Sequence, residues 1–196
     1  IAVNIGLPDL AIGNVTAPST AFANQNFNVS WQVSNPTDIP TTSGRWNERV
    51  YLSTDNIWDA SDRDISNYYS NINNNGTRLA ANTSGNNSLN VIIPNEVYDN
   101  YYLFVVLDPW NQQNETNENN NVSNGIPIII SAPNLTLSAT SPGTVTLGRS
   151  FAVDWQVNNT GTGSAIRSWY DRVYLSDDDR LDYADRSLAQ VYRSNY

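Results

Sequence analysis

Cysteine, histidine and methionine are absent from this chain of 196 residues, and all ten basic residues are arginine. Without cysteine there is no disulfide framework, no thiolate nucleophile and no zinc–thiolate site. Without histidine, Ser–His and Cys–His dyads are excluded within these residues, as are imidazole metal ligands. No apolar run approaches the roughly 20 residues a membrane helix needs, and IPIIIS at 126–131 reads as a strand. A membrane partner is therefore not expected. Nucleic acid is not expected either, because nineteen acidic residues against ten arginines give a net charge of −9, which repels a phosphate backbone. An acidic surface rich in Asn, Ser and Thr suits either solubility alone or the binding of hard cations.

Much of the chain is present twice. SWQVSN at 30–35 returns as DWQVNN at 154–159, and RWNERVYLSTDNIWDASDRDI at 45–65 returns as SWYDRVYLSDDDRLDYADRSL at 168–188. LPDL at 7–10 returns as APNL at 132–135, so the offset stays near 124 residues, enough for a small domain. IAVNIGLPDL at the start aligns with IPIIISAPNL at 126–135. The expected division is therefore residues 1–7 as the last-strand tail of a preceding repeat, 8–131 as a complete repeat and 132–196 as the N-terminal half of another. Half a sandwich cannot bury a core alone. Either the polypeptide continues in both directions or another chain supplies the missing strands.

No segment has helical periodicity. Short runs of period-two alternation are separated by Asn, Gly, Pro and Ser clusters, which predicts an all-β domain. Strands are expected near 9–15, 26–34, 48–53, 64–69, 77–81, 88–93, 101–108 and 123–130, a number that fits a two-sheet sandwich. Phe27, Val29, Trp31 and Val33 share one strand face, and Phe151, Val153, Trp155 and Val157 repeat it. Both sets read as core, as do Trp46 and Trp169. YYLFVVLD at 101–108 is apolar on both faces and predicts a central strand. The predicted class is a tandem array of immunoglobulin- or fibronectin-III-like β-sandwiches.

Pro8–Leu10, Val29–Val33 with Asn35, Ser43, Trp46, Arg49–Ser53, Asp55, Asp59, Asp62, Tyr101–Leu103, Asp108, Asn111, Glu115 and Asn117–Asn120 form a pattern that resembles the bacterial cell-adhesion-related domain family, CARDB. The resemblance spans the first copy and all that is present of the second. It implies an immunoglobulin-like sandwich, repeated in secreted or surface proteins of bacteria, with adhesion implied by context more than by chemistry. Glu48 departs from the family's Asp, which Asp171 keeps.

Several clusters are candidates for chemistry. Asp55, Asp59, Asp62 and Asp64 crowd one hairpin, and Asp178, Asp182 and Asp185 reproduce three of these positions. Calcium accepts such irregular oxygen-rich loops, although the spacing is not that of an EF-hand. The alternative is a hairpin of Asx turns, with the carboxylates capping backbone amides and pairing Arg63 or Arg186. DPWNQQNETNENNN at 108–121 adds Asp108, Glu115, Glu118 and many amide oxygens. A cation could bridge the hairpin of one repeat to this loop in the next. Asn75, Asn82 and Asn86 are the glycosylation sequons expected near turns. Trp58 and Trp110 could stack on sugars or pack over the hairpin base.

A glycosidase-like carboxylate pair would have to come from Glu48, Glu115, Glu118 or the hairpin. No cleft-forming sequence accompanies them, and no catalytic residue is expected. The expected role is a non-catalytic extracellular module of a bacterial surface or filament protein. Its partners would be neighbouring repeats or identical subunits, with strands shared between chains, together with glycans or a cell surface. The rival is a carbohydrate-binding accessory domain of a secreted hydrolase.

Overall fold

The computed structural model describes residues 6–42, 45–66 and 78–194. The chain divides into two compact units, Ile1–Ser131 and Ala132–Tyr196. Every regular element among the described residues is a β-strand, and no helix is long and apolar enough to cross a membrane.

The first unit holds β1 (Ala11–Thr16), β2 (Thr20–Phe22), β3 (Asn26–Asn35), β4 (Glu48–Ser53), β5 (Arg63–Asp64), β6 (Thr83–Ile92), β7 (Asp99–Leu107) and β8 (Ile126–Ser131). They form a three-stranded sheet, β1-β3-β6, and a five-stranded sheet, β2-β8-β7-β4-β5. All pairings are antiparallel except β2 with β8. The chain leaves the first sheet after β1 and joins the second at β2. Pro18 lies in that crossing, where its missing N–H costs no ladder bond. The alternation in β3 buries Val29, Trp31 and Val33, which meet Val50, Leu52, Leu103, Val105, Leu107, Ile128 and Ile130 of the other sheet in one core cluster. β7 occupies the middle of its sheet, and Leu103 through Leu107 are all buried. A strand covered on both faces needs apolar residues at consecutive positions, which explains its sequence.

Three strand expectations change. β6 begins at Thr83, well before Ser88, and pairs with β3 over ten residues from Asn26↔Ile92 to Asn35↔Thr83. The Thr-Ser-Gly-Asn-Asn run has turn propensity, but a full-length partner strand overrides it. No strand covers 78–81; residue 77 of that expected strand and residues 67–69 of the strand expected at 64–69 lie outside the described residues, as do 1–5 of the expected tail. β2 was not expected. Its three residues are held by parallel pairing to β8, a contact across more than a hundred residues.

The second unit contains β9 (Leu135–Thr140) paired with β10 (Asp154–Asn159), and β11 (Trp169–Leu175) paired with β12 (Arg186–Arg193). It has no counterpart of β6, β7 and β8 among its described strands. The expectation of a wholly internal Phe151 is corrected accordingly: its ring is 43% exposed, while Val153, Trp155 and Val157 are half-buried. The two pairs enclose an apolar cleft of about 450 Å³ lined by Leu135, Leu137, Val157, Trp155, Trp169 and Val173 among others.

Candidate functional site

The residues of the repeated pattern converge on two small polar constructions. In the first, the Glu48 carboxylate is fully buried and accepts the indole N–H groups of both Trp31 and Trp46, the latter at 3.1 Å. Asn87, the cross-strand partner of Trp31, donates its amide to the same carboxylate at 2.9 and 3.0 Å. In the second unit Asp171 accepts from Trp155 and Trp169, both at 2.9 Å, and from Arg193 at 2.8 Å. These donors, the Trp155 indole foremost, hold the Asp171 carboxyl below its ordinary range. Tryptophan has one donor and no acceptor, so a buried indole pair is satisfied most economically by one carboxylate. The sequence reading treated Glu48 as a departure from the family pattern. The usable signal was the recurrence of a carboxylate two residues after Trp46 and Trp169.

The second construction is a clasp around Asn35. Its side-chain oxygen accepts the Asp9 and Thr37 amides, each at 3.3 Å, and its amide donates to the Ile39 carbonyl at 2.7 Å. Asn159 accepts the Asn134 and Gly161 amides, each at 3.0 Å, and donates to the Gly163 carbonyl at 2.8 Å. One asparagine thus pins the start of a unit to the loop that follows its second core strand.

The acidic hairpins are built from Asx turns. Asp55 accepts the Ile57 amide at 2.8 Å, Asp59 the Ser61 amide at 2.7 Å, Asp62 the Asp59 amide at 2.9 Å, and Asp64 the Ser66 amide at 2.8 Å. In the second unit Asp178 accepts the Arg180 amide at 2.8 Å, and Asp182 and Asp185 accept the Ala184 and Asp182 amides, both at 2.7 Å. The Ser61 hydroxyl and amide hold the Asp59 carboxyl below its usual range. Arg63 pairs with Glu96 at 2.5 Å rather than with a hairpin carboxylate, and Asp64 takes Arg49 at 3.4 Å. Among the described residues no three acidic side chains converge to hold a metal ion.

The loop at 108–121 is organised differently. Asp108 turns its carboxylate back onto the Gln112 and Gln113 amides at 2.8 and 2.6 Å. Glu115 is buried against the unit's first residues, accepting the Leu10 amide and, at 3.4 Å, the Asn121 side-chain amide. Burial, with Glu118 and Asp108 nearby, pushes its carboxyl up to about 8. Asp9 accepts the Asn120 amide at 3.0 Å on one oxygen. Asp9 belongs to the repeated pattern and Asn120 and Asn121 to the oxygen-rich loop, but no local signal in the sequence brings Asp9 to Asn120.

Trp58 packs edge-on against Tyr51 at 5.9 Å, and Trp110, 55% exposed, lies under the Arg49 guanidinium at 5.0 Å. Asn82 is exposed in a turn with φ 54° and donates to Asp38 at 2.7 Å. Asn86 is exposed but sits within β6, opposite Gln32, and not at a turn. Asn75 lies outside the described residues.

A two-sheet β-sandwich with this pattern defines a class of extracellular-type modules. The CARDB sequence profile matches residues 7–125, and the chain belongs to the CARDB family, a cell-adhesion-related module. Among solved structures, the chain is similar to the CARDB domain of a Pyrococcus furiosus protein in complex with di-metal ions, at 19% identity, TM-score 0.44, covering 65% of this chain and 97% of that one. A solution structure of the same archaeal domain has 19% identity and TM-score 0.46, covering 64% and 97%. A domain of a candidate cell surface protein from Methanosarcina acetivorans has 21% identity and TM-score 0.39, covering 63% and 92%. No curated protein matches the chain.

Proposed function

We propose that this chain is a non-catalytic structural and adhesive module of a bacterial surface or filament protein, built from tandem sandwiches. One observation supports the reading above the others: the polar residues of the repeated pattern are spent on the scaffold in both units. Glu48 and Asp171 clamp indoles, and Asn35 and Asn159 clasp loops. A catalytic carboxylate must reach a substrate, whereas Glu48 is fully enclosed. In this reading the apolar cleft of the second unit, lined by Leu135, Trp155 and Val173 among others, receives a strand of a neighbouring repeat or an identical subunit. The hairpin carboxylates serve as turn caps. Asn82 and Asn86 are the exposed positions available to glycans on a cell surface.

Electron microscopy of native material, paired with sedimentation of the purified chain, tests this. Elongated assemblies and concentration-dependent association are expected. A monodisperse monomer at high concentration defeats strand sharing. Oligosaccharide affinity that disappears in Trp110→Ala would replace the proposal with the accessory sugar-binding reading, because Trp110 is more exposed than Trp58, the other candidate ring.

A further inference from the structure

One pole of the first unit contains a closed ring of four polar side chains whose oxygens the scaffold satisfies only in part. Asp9 accepts the Asn120 amide at 3.0 Å. Asn120 is bonded in sequence to Asn121, whose amide reaches Glu115 at 3.4 Å. Glu115 in turn accepts the backbone amide of Leu10, the residue after Asp9. Asp9, Glu115 and Asn121 are 9%, 8% and 4% exposed. Three oxygens of this ring, Asp9 Oδ1, Asn120 Oδ1 and Asn121 Oδ1, are buried and receive no hydrogen bond.

Buried oxygens left without a donor carry the full cost of their lost hydration. Turning either Asn amide over does not relieve them. Both Nδ2 groups are already committed to the carboxylates, so the flip would lose a donor at Asp9 or Glu115 and leave another mismatch. The charge is also uncompensated. The ionised groups acting on Glu115 are Glu118 and Asp108, both acidic, and none of the ion pairs among the described residues reaches Asp9 or Glu115. A proton on Glu115 would neutralise one carboxyl and leave the oxygens of Asp9 and Asn120 unmet.

We propose that Asp9, Glu115, Asn120 and Asn121 bind a hard divalent cation of the calcium type. The donors are all oxygen, from two carboxylates and two amide carbonyls, which selects a hard ion over zinc or copper. Calcium takes mixed carboxylate, amide and water oxygens in irregular arrangements, whereas magnesium demands a near-ideal octahedron. The ion would fasten the 108–121 loop to the first strand of the unit. The site is separate from the acidic hairpin, where each carboxylate caps a backbone amide.

The test is a calcium chloride titration of the chelator-stripped full chain, followed by amide NMR shifts and by the thermal midpoint. Saturable shifts are expected at the Leu10, Asn120 and Asn121 amides, with those of Ile57, Ser61 and Ser66 in the hairpin unmoved, and the midpoint should rise. Glu115→Gln should weaken the affinity at least about tenfold, as loss of a carboxylate ligand does, while Asp59→Asn leaves it intact. Asp9→Asn provides the same reading if Glu115→Gln does not fold. The proposal is overturned by the absence of saturable shifts up to about 10 mM, beyond the about 1 mM that weak extracellular calcium modules require. Shifts confined to the hairpin, or binding that survives both Asp9→Asn and Glu115→Gln, would overturn it equally.

Discussion

Trp31 donates its indole N–H across the sandwich to Glu48, a carboxylate with no exposed surface. The bond links β3 of one sheet to β4 of the other, and Trp46 and Asn87 donate to the same carboxylate. Core tryptophans in a CARDB unit are therefore oriented, as well as buried, because the acceptor fixes which way each ring faces. A purely apolar core would fill the same volume without choosing a single arrangement.

Glu48→Ala should destabilise the first unit by about 3–5 kcal/mol, since it leaves two indoles and one amide unpaired and opens a cavity. Glu48→Asp should cost distinctly less, because Asp171 holds the same two-indole arrangement in the second unit. Urea unfolding followed by tryptophan fluorescence measures both. A cost for Glu48→Ala no larger than for an exposed substitution would show that the clamp is not a determinant of stability.

The Asn35 clasp makes a second stability prediction. Asn35→Ala removes bonds to Asp9, Thr37 and Ile39, and a loss of about 1–3 kcal/mol is expected. Hydrogen exchange should accelerate at the Asp9 and Thr37 amides before it does in β7. Uniform acceleration through β7 would mean that the clasp is part of the global unfolding unit and not a local pin.

In metal-free buffer Glu115 gives the first unit an unusual pH dependence. Its folded carboxyl titrates at about 8, well above the unfolded value of about 4.3. The contribution it makes is complete below that unfolded value and is lost as pH rises toward 8, so Glu115 opposes stability in mildly alkaline solution. Glu115→Gln should raise the midpoint at pH 8 and leave it nearly unchanged at pH 4. Equal effects at both values would show that the carboxyl is not held protonated.

Asp171 acts in the opposite sense. Its carboxyl is held down by indole and guanidinium donors, so its contribution is present above the unfolded value of about 3.9 and disappears as pH falls through the lower folded value. Asp171→Asn should therefore weaken Trp155 burial at pH 7 and match the parent chain once Asp171 itself is protonated. Fluorescence quenching of the second unit across an acid titration reads this directly. A difference between the two chains that persists unchanged into strong acid would contradict it.

The legible parts of the chain were those governed by local chemistry. Alternation in Phe27–Val33 specified a strand and its inner face, because side chains in an extended backbone must point to opposite sides in turn. The two-faced apolar run at 101–108 specified a central strand. Closely spaced Asp and Ser residues offered Asx turns as one of two readings beside a cation site, and each carboxylate reaches an amide two or three residues away. Where local propensity and tertiary pairing disagreed, as in 83–87, the reading failed and the partner strand prevailed.

Composition and periodicity alone fix an all-β chain with repeated core positions, no thiol or imidazole chemistry within these residues, and a net negative charge. Closure of the fold joined β2 to β8 in parallel, set Glu48 between two tryptophans, and brought Glu115 to Leu10 and Asn120 to Asp9. The division has a physical cause. Alternation, turn chemistry and charge act over a few residues, whereas Leu10 meets Glu115 across 105 positions and Asp9 meets Asn120 across 111. Contacts at that range are fixed by how the two sheets close on a common core, which no short window of sequence records.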